Sequence, residues 1–509
     1  MTNSTKLDRQ AYRIICCSNH IKYRVELFLA GLEDGNHYSL AERQQSLRSY
    51  QSNWDSLIPQ KTSTIAIPDH GTYELAGGIY GLVPNSTPNS IRFHRLPSVS
   101  RGIEMEEWSV QDLDFPIDDF TMEGAYDLLT VFTYKSGQYV YRLSPLLRFQ
   151  IDHRPSVKVH LLKLSDGEPH PRARNPLLEY EIPLTPTESG WGLEVVIWEN
   201  RLGCLFTSAL ENQWVDSLVV WDWTTGDLVR VRLVFPALPF RYLPTFQVVS
   251  QGGNRTFIFL DENTIVTGRP MENTRPSLSF FDLSTDEEPI TPLLTLALSD
   301  GDSDRRGSLH IRFNLGVPIH HGPELRVRVP FFVNPSQQML FVVVFFVESD
   351  DDVTTMLHCF AVSLSVLREW ARVDMSFVGW NEWMHTSVPI VTEGPDRATF
   401  TMGSCFVAPD MDAVIEAIID AQPLFAAKTI IPLLVYNLSP RSRMRVGWES
   451  SKPHCQGISG VWNTVTTIRD NGSYSRTTQI LAEPTSDILM TEDSLIVIEL
   501  VRLWPISTL

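Results

Sequence analysis

In the stretch Leu218-Val219-Val220-Trp221-Asp222-Trp223-Thr224-Thr225-Gly226-Asp227, a run of aliphatic and aromatic residues leads into a polar turn. Such a run is typical of a strand that packs on a sheet face. The Thr224 hydroxyl can close a local turn with the backbone, and Gly226 tolerates a left-handed backbone better than other residues do. The stretch therefore predicts a β-strand that ends in a tight turn.

The same strand-and-turn pattern recurs along the chain. Aligned on the hydroxyl residue, the further copies are Leu162-Lys163-Leu164-Ser165, Phe281-Asp282-Leu283-Ser284, Phe360-Ala361-Val362-Ser363 and Tyr436-Asn437-Leu438-Ser439. An off-period copy, Tyr141-Arg142-Leu143-Ser144, shows that the pattern also arises by chance. Sheets that recur along a chain are found in propellers, solenoids and tandem sandwiches.

Chain length favours a propeller among these architectures. Residues 60–509 divide into roughly six to eight units of the observed spacing, and WD-type blades need about 40–45 residues each. The copy around Trp221 resembles the third strand and turn of a WD-type repeat. We therefore predict a mainly β fold, a β-propeller of about seven blades over 60–509. The run Leu495 to Val501 is expected to be its closing strand, beside segments near 65–80.

Residues 1–59 differ in kind and predict a short α-helical segment. One apolar stripe at helical spacing predicts an amphipathic helix that ends near Gly35. Its members are Ile14, Ile21, Val25, Phe28 and Leu32. A second helix is expected from Ser39, because Ser39 and Glu42 have the spacing of a capping box.

Composition and charge exclude several classes of protein. The chain has 509 residues, with 42 Lys and Arg against 60 Asp and Glu, and a net charge of −18. This balance argues against nucleic-acid binding and against docking on an anionic membrane. No apolar stretch of secretory type is present near the N-terminus, and no CxxC spacing occurs among the 6 cysteines. We expect a cytoplasmic or nuclear protein with no cofactor and no metal.

Motifs that carry chemistry are weak. The acidic run 300–304 lacks the Gly and Glu of a calcium loop, and the pair His320-His321 has no ligand partner at useful spacing. No GxSxG motif occurs. Asp118-Asp119, and Asp112 with Asp114, could act as a carboxylate pair in a glycoside hydrolase, but neighbouring acids are usually surface residues. We expect a protein that is not an enzyme.

Two tryptophans outside the repeat pattern are candidate partner-binding residues. Trp380 and Trp383 fall in the stretch Trp380-Asn381-Glu382-Trp383, which we expect to be a rim loop of the propeller. Exposed aromatic residues are enriched at interface hot spots.

The head of the chain resembles a group of fungal F-box-like proteins. The resemblance is clearest over 12–58 and rests on the stretch Ile21 to Leu32, on Asp34-Gly35, Glu42-Arg43, Leu47-Arg48-Ser49-Tyr50-Gln51 and Trp54. Weaker matches are Tyr73-Glu74-Leu75, Leu96-Pro97-Ser98, Trp108, Ser165-Asp166-Gly167-Glu168-Pro169-His170-Pro171 and Trp221-Asp222-Trp223.

The resemblance implies a substrate-recruiting adaptor of a cullin-RING ubiquitin ligase. In such an adaptor the F-box docks a Skp-type linker, and the body recruits another protein. The Leu-Pro-x-Glu-like opening of a complete F-box is missing, so we expect a remnant F-box that docks its linker weakly; a lost upstream exon is one explanation. Ile14, Ile21, Val25 and Phe28 are the candidate docking residues. The alternative is an enzyme or carbohydrate-binding propeller with carboxylates at the channel mouth.

Overall fold

The computed structural model of the chain defines four α-helices among the residues that it describes. They are α1 (Asn19–Leu29), α2 (Leu40–Ser56), α3 (Leu364–Trp370) and α4 (Trp380–Trp383), with short 3-10 turns at Gly124–Tyr126 and Met384–Thr386. The described residues are 18–56, 67–99, 102–135, 156–182, 192–210, 213–231, 256–270, 276–284, 291–298, 307–315, 329–334, 338–348, 354–389, 400–402, 405–409, 432–437, 463–468, 475–480, 485–490 and 495–499.

The strands of the first half are β1 (Leu32–Asp34), β2 (His70–Ala76), β3 (Ile79–Pro84), β4 (Ile91–Arg95), β5 (Glu106–Val110), β6 (Asp119–Glu123), β7 (Leu128–Lys135), β8 (Ser156–Lys163), β9 (Leu177–Glu181), β10 (Gly192–Trp198), β11 (Arg201–Leu210), β12 (Gln213–Asp222) and β13 (Leu228–Val231). The remaining strands are β14 (Phe257–Phe259), β15 (Thr264–Pro270), β16 (Pro276–Asp282), β17 (Leu294–Ala297), β18 (Gly307–Leu315), β19 (Phe331–Val333), β20 (Met339–Glu348), β21 (Thr354–Ser363), β22 (Phe377–Val378), β23 (Val388–Pro389), β24 (Phe400–Met402), β25 (Cys405–Pro409), β26 (Pro432–Asn437), β27 (Asn463–Ile468), β28 (Ser475–Ile480), β29 (Thr485–Met490) and β30 (Leu495–Glu499).

Consecutive strands form successive antiparallel sheets, so the fold is mainly β. The first three sheets are the meanders β2 to β5, β6 to β9 and β10 to β13. The fourth is β14 to β17, with β22 added in parallel at its edge, and the fifth has the order β18-β20-β21-β23. The sixth has the order β24-β25-β26-β28-β27. Strand β30 pairs with β29, so the described residues do not show the predicted closing strand beside 65–80.

The first five sheets stack face to face in chain order. Alternate side chains of a strand point to opposite faces, so one strand can pack against two neighbouring sheets. In β11 of the third sheet, Cys204 and Phe206 pack toward the second sheet, whereas Leu205 packs toward the fourth. One buried apolar cluster lies between each neighbouring pair of these sheets. Each inner sheet of the stack is therefore buried on both faces.

The repeat found in the sequence corresponds to one local structure. Asp222 is the last residue of β12, and its Oδ1 accepts hydrogen bonds from the Thr224 backbone N–H at 3.0 Å and from the Thr224 hydroxyl at 2.6 Å. Asp282 holds Ser284 in the same way at 2.8 and 2.6 Å. Trp221 is buried between the second and third sheets.

The copy at Ser165 forms the corresponding two hydrogen bonds with a carboxylate from elsewhere in the chain, one bond to each oxygen. Lys163 occupies the place of the aspartate, and the carboxylate comes instead from Asp127, the residue directly before β7, whose first residue Leu128 pairs with Lys163. Asp127 accepts from the Ser165 backbone N–H at 2.9 Å and from its hydroxyl at 2.7 Å. In this copy the carboxylate therefore comes from a distant position in the sequence.

The alignment of the copy at Ser363 is wrong by two residues. Ser363 pairs with Met339, the first residue of β20, just as Asp222 pairs with Arg201, the first residue of β11. The Ser363 hydroxyl accepts from the Ser365 backbone N–H at 3.3 Å and contacts the Ser365 hydroxyl at 2.7 Å. Ser363 thus takes the place of the aspartate and caps α3, whereas Ser439 of the last copy lies outside the described residues.

The helical head is joined to the body by a two-stranded antiparallel sheet. Strand β1 pairs with β19, so the predicted first helix ends before Leu32 rather than near Gly35. The Gly35 N–H donates to the Pro330 carbonyl at 3.0 Å. The capping box of α2 is confirmed, since Ser39 N–H donates to Glu42 Oε2 at 2.9 Å and Glu42 N–H donates to Ser39 Oγ at 3.4 Å.

Candidate functional site

The exposed face of α1 carries the predicted linker-docking residues that the structure describes. Val25 is 40% exposed, Phe28 is 56% exposed, and Ile21 is half-buried. Ile14 lies outside the described residues. The three described positions form one stripe, because residues four and seven apart lie on the same side of a helix.

The opposite face of α1 is used to hold the helix on the body. Tyr23 and Leu27 are its buried residues, and the stripe predicted from the sequence is not the buried one. The Tyr23 hydroxyl lies 3.5 Å from Asp34 Oδ1 and donates to the Pro330 carbonyl at 3.4 Å. Burial, together with the charge of Asp34, holds the pKa of Tyr23 well above its usual range.

A buried ion pair fixes the position of α2 relative to this junction. The Arg43 guanidinium bonds Asp34, and its Nη1 also donates to the Asn36 side-chain oxygen at 3.2 Å. The same guanidinium lies 5.4 Å from the centre of the Tyr23 ring. On β19, Phe331 meets the ring of Tyr50 edge-on at 5.3 Å. The exposed stripe of α1 is therefore presented on a firmly attached helix.

The expectation of an exposed rim loop is wrong for Trp383. This residue lies in the short helix α4, is 0% exposed, and donates its indole N–H to the Ala297 carbonyl at 2.7 Å. It belongs to the apolar cluster between the fourth and fifth sheets, and Trp380 packs edge-on against it at 5.4 Å while half-buried. The spacing of the two tryptophans reflects core packing, so the structure gives no free aromatic pair here.

Two carboxylates with shielded oxygens lie on the first strands of the first two sheets, where Glu123 is buried and Glu74 is half-buried. Glu74 of β2 accepts a hydrogen bond from the Thr121 hydroxyl of β6 at 2.8 Å. Glu123 of β6 accepts from the Ala125 N–H at 3.0 Å. The second oxygens of Glu74 and Glu123 are shielded from solvent and have no hydrogen-bond partner within the described part of the chain.

This environment changes the protonation of both carboxyls. Burial raises the pKa of Glu74 to about 8; the Thr121 hydrogen bond opposes the rise, and the charges of Asp119 and Glu123 add to it. Burial likewise raises the pKa of Glu123 to about 7. Both groups can therefore carry a proton near neutral pH.

The sequence pattern points to the neighbouring pair Asp118-Asp119 and not to Glu74 or Glu123. Asp118 Oδ2 accepts from the Tyr134 N–H at 2.6 Å, and burial raises the pKa of Asp119. The available signal was a lone Glu inside an apolar strand, as in Tyr73-Glu74-Leu75. The acidic run 300–304 and His320-His321 lie outside the described residues.

Neither a metal site nor a membrane-spanning helix is present among the described residues. They contain no group of His, Cys, Asp and Glu that could hold a metal ion. In the same part of the chain, no helix is long and apolar enough to cross a membrane.

Comparison with known proteins gives only distant likenesses. No protein-family model matches the chain. No curated protein matches it. Among solved structures, Hsv2 of Kluyveromyces lactis with its complete loop 6CD is similar at 10% identity and a TM-score of 0.25, covering 43% of this chain and 59% of that one. A second Hsv2 structure is similar at 10% identity and a TM-score of 0.22, covering 42% of this chain and 55% of that one. A third is similar at 9% identity and a TM-score of 0.22, covering 58% of this chain and 87% of that one. The match thus spans less than two thirds of the first two structures, and these TM-scores are too low to support an argument.

Proposed function

We propose that the protein is a non-enzymatic protein-interaction module, an adaptor of F-box type whose helical head docks a Skp-type linker and whose body recruits another protein. The observation that carries the proposal is the exposed stripe of Val25 and Phe28 on α1, a helix anchored by its other face. Exposed apolar side chains on a rigid helix are suited to binding a groove on a partner.

The body is proposed to be a β-propeller of about seven blades. Two features support this arrangement. Sheets follow one another in chain order and bury both faces, as the blades of a propeller do. In addition, first strands of successive sheets contact each other, β2 with β6, β10 with β14, β18 with β24 and β24 with β29. Six sheets and the hairpin of β29 and β30 account for about seven blades.

Docking of the linker through the head is expected to be weak. A stable interface buries about 800 Å² on each partner, and the exposed stripe of a single short helix supplies much less. The face that carries Tyr23 and Leu27 is already committed to the body and cannot contribute.

The test is binding of a purified Skp-type linker to the purified full-length protein. We expect weak binding that is lost on the double change Val25→Asp and Phe28→Asp, because the charges would have to be buried against the partner. Leu228→Asp is the matched control, since Leu228 is an exposed apolar residue of β13 at 51% exposure and its change should leave binding intact.

Two results would contradict the proposal in different ways. Tight, stoichiometric binding that is lost in the double variant would show that one helix face suffices and that docking is not weak. Failure of the wild-type protein to bind, or equal binding by the double variant, would overturn the adaptor function itself.

The alternative function, an enzyme or carbohydrate-binding propeller, would use the carboxylates of the first strands. Their contacts favour a structural role instead. Glu74 of the first sheet accepts a hydrogen bond from the Thr121 hydroxyl of the second sheet. Glu194 of the third sheet accepts one at 2.5 Å from the hydroxyl of Thr256, the residue before β14 of the fourth sheet. The repeated Glu–Thr contact joins neighbouring sheets, so we place the adaptor function first.

A further inference from the structure

The apolar stripe on α1 is bordered by basic side chains on both sides. Each residue of an α-helix advances about 100° around the axis. Lys22 therefore lies on one side of the stripe of Ile21, Val25 and Phe28, and Arg24 lies on the other. Both basic residues are exposed.

Acidic side chains do not offset this border within α1. Glu26 is the one acidic residue of the helix; it is half-buried and lies 4.0 Å from the Lys22 ammonium group. An exposed pair at this separation is weak and leaves most of the Lys22 charge open to a partner. Arg24 lies on the far side of the stripe from Glu26, so that border remains positive.

The local charge is opposite to the charge of the whole molecule. The chain carries −18, which at a distance repels an acidic partner. Interactions between exposed charges fade beyond about 8–10 Å at physiological salt, so the basic border acts only on a surface that is already close. It then favours a partner whose own groove is bordered by negative charge, because complementary charges fix register and exclude other surfaces.

We infer that the exposed face of α1 binds an apolar groove of a partner protein that is bordered by carboxylates, with Val25 and Phe28 in the groove and Lys22 and Arg24 against its acidic borders. The inference rests on the proposed function, because it names the chemistry of the partner at the same surface. It does not depend on that partner being a Skp-type linker.

The chemistry of the surface can be tested on the full-length protein with two dyes of similar shape. Anilinonaphthalene sulfonate is apolar and carries one negative charge, and N-phenylnaphthylamine is its uncharged counterpart. The double change Val25→Asp and Phe28→Asp should reduce binding of both dyes relative to Leu228→Asp. Arg24→Glu and Lys22→Glu should each reduce binding of the charged dye about two- to fivefold and leave the uncharged dye unchanged. Arg92→Glu, at an exposed site on β4, is the matched control for charge reversal.

The inference is overturned if Arg24→Glu and Lys22→Glu affect both dyes equally or neither dye. It is also overturned if the difference between the dyes persists from about 50 mM to 500 mM NaCl, since exposed charges are screened at high salt. The same variants, titrated with the linker, separate the two proposals. If the double change Val25→Asp and Phe28→Asp abolishes linker binding while Arg24→Glu and Lys22→Glu do not change it, the adaptor function stands and the inference of an acidic groove on the partner is overturned. Charge-selective dye binding without any linker binding would leave the surface chemistry standing and refute the adaptor function.

Discussion

At the scale of single residues, Trp221 shows how one side chain joins two sheets. It lies in the cluster between the second and third sheets, where the Tyr180 ring meets it edge-on at 6.0 Å. Trp221→Ala should lower the free energy of unfolding by about 3–5 kcal/mol, the range for truncating a buried aromatic residue. Urea unfolding of both proteins measures the difference.

The matched control is Leu228→Ala, an exposed apolar residue of the same sheet. Its cost should stay within about 0.5 kcal/mol, as for most surface changes. A cost below about 1 kcal/mol for Trp221→Ala would mean that the side chain does not hold the two sheets together.

Glu74 predicts how stability depends on pH. Its pKa rises from an ordinary value of 4.5 to about 8 in the folded protein, and that of Glu123 rises to about 7. Between pH 4.5 and about 8, Glu74 therefore binds more protons in the folded chain than in the unfolded chain. The stability that protonated Glu74 contributes is lost as the pH rises through this range. Glu74→Gln, which keeps the shape and removes the charge, should flatten this fall.

The pH series is measured as urea midpoints of the wild type, Glu74→Gln and Glu168→Gln. Glu168 is an exposed carboxylate, so its variant should follow the wild type. A wild-type midpoint that rises between pH 5 and pH 8, or a Glu74→Gln variant with the wild-type slope, would show that Glu74 is ionised in the folded protein.

At the scale of elements, the junction of head and body has no room for a side chain at Gly35. A Cβ atom there would lie 2.2 Å from the Val329 carbonyl oxygen, a backbone atom that cannot move without breaking the contact with β1. Gly35→Ala should therefore destabilise the junction by about 1–3 kcal/mol, as other forms of overpacking do. Limited proteolysis should then cut between head and body faster than in the wild type.

A matched control for Gly35→Ala is Gly379→Ala, where a Cβ would come no nearer than 3.8 Å to another group. Equal protease resistance of Gly35→Ala and the wild type would mean that the two strands of the junction separate readily on their own.

Local patterns predicted the elements better than the contacts between distant ones. The strand and turn at Trp221 and the capping box at Ser39 follow from neighbouring residues, and both were predictable. The predicted alignment of Ser363 is wrong because a hydroxyl can either donate to a carboxylate, as Thr224 does, or accept from a backbone N–H, as Ser363 does. Sequence spacing does not distinguish these two roles. The buried face of α1 was not predicted, because Tyr23 finds its partner at Pro330, 307 residues away in the chain.

The carboxylates on the first strands were missed for a related reason. A lone Glu in a strand usually faces solvent, and only the neighbouring sheet supplies the Thr121 hydroxyl that makes burial of Glu74 tolerable. Periodicity within one strand carries no information about the adjoining sheet. The sequence therefore indicated Asp118-Asp119, rather than Glu74 and Glu123, as a possible carboxylate pair.

At the scale of the whole molecule, the head and the body are expected to unfold together. Their contacts include the strand pair β1 and β19, the hydrogen bond from the Tyr23 hydroxyl to the Pro330 carbonyl and the Tyr50–Phe331 ring contact. Helix content measured by circular dichroism and tryptophan fluorescence should therefore give coincident urea transitions. Separate transitions, with the helical signal lost first, would show that the head is an independent unit.

The pairing of β1 with β19 also determines when, during synthesis of the chain, the head can form its contacts with the body. Leu32 leaves the ribosome long before its partner Val333 is made. At about 5–20 residues per second, the interval is roughly 15–60 s. During that time the edge of β1 has no native partner strand and the Tyr23 hydroxyl lacks the Pro330 carbonyl, while the first three sheets and strands β14 to β17 of the fourth can already form. The junction is completed only when residues 329–334 emerge, because Pro330 accepts from the Gly35 N–H and the Asn334 N–H donates to the Gly31 carbonyl.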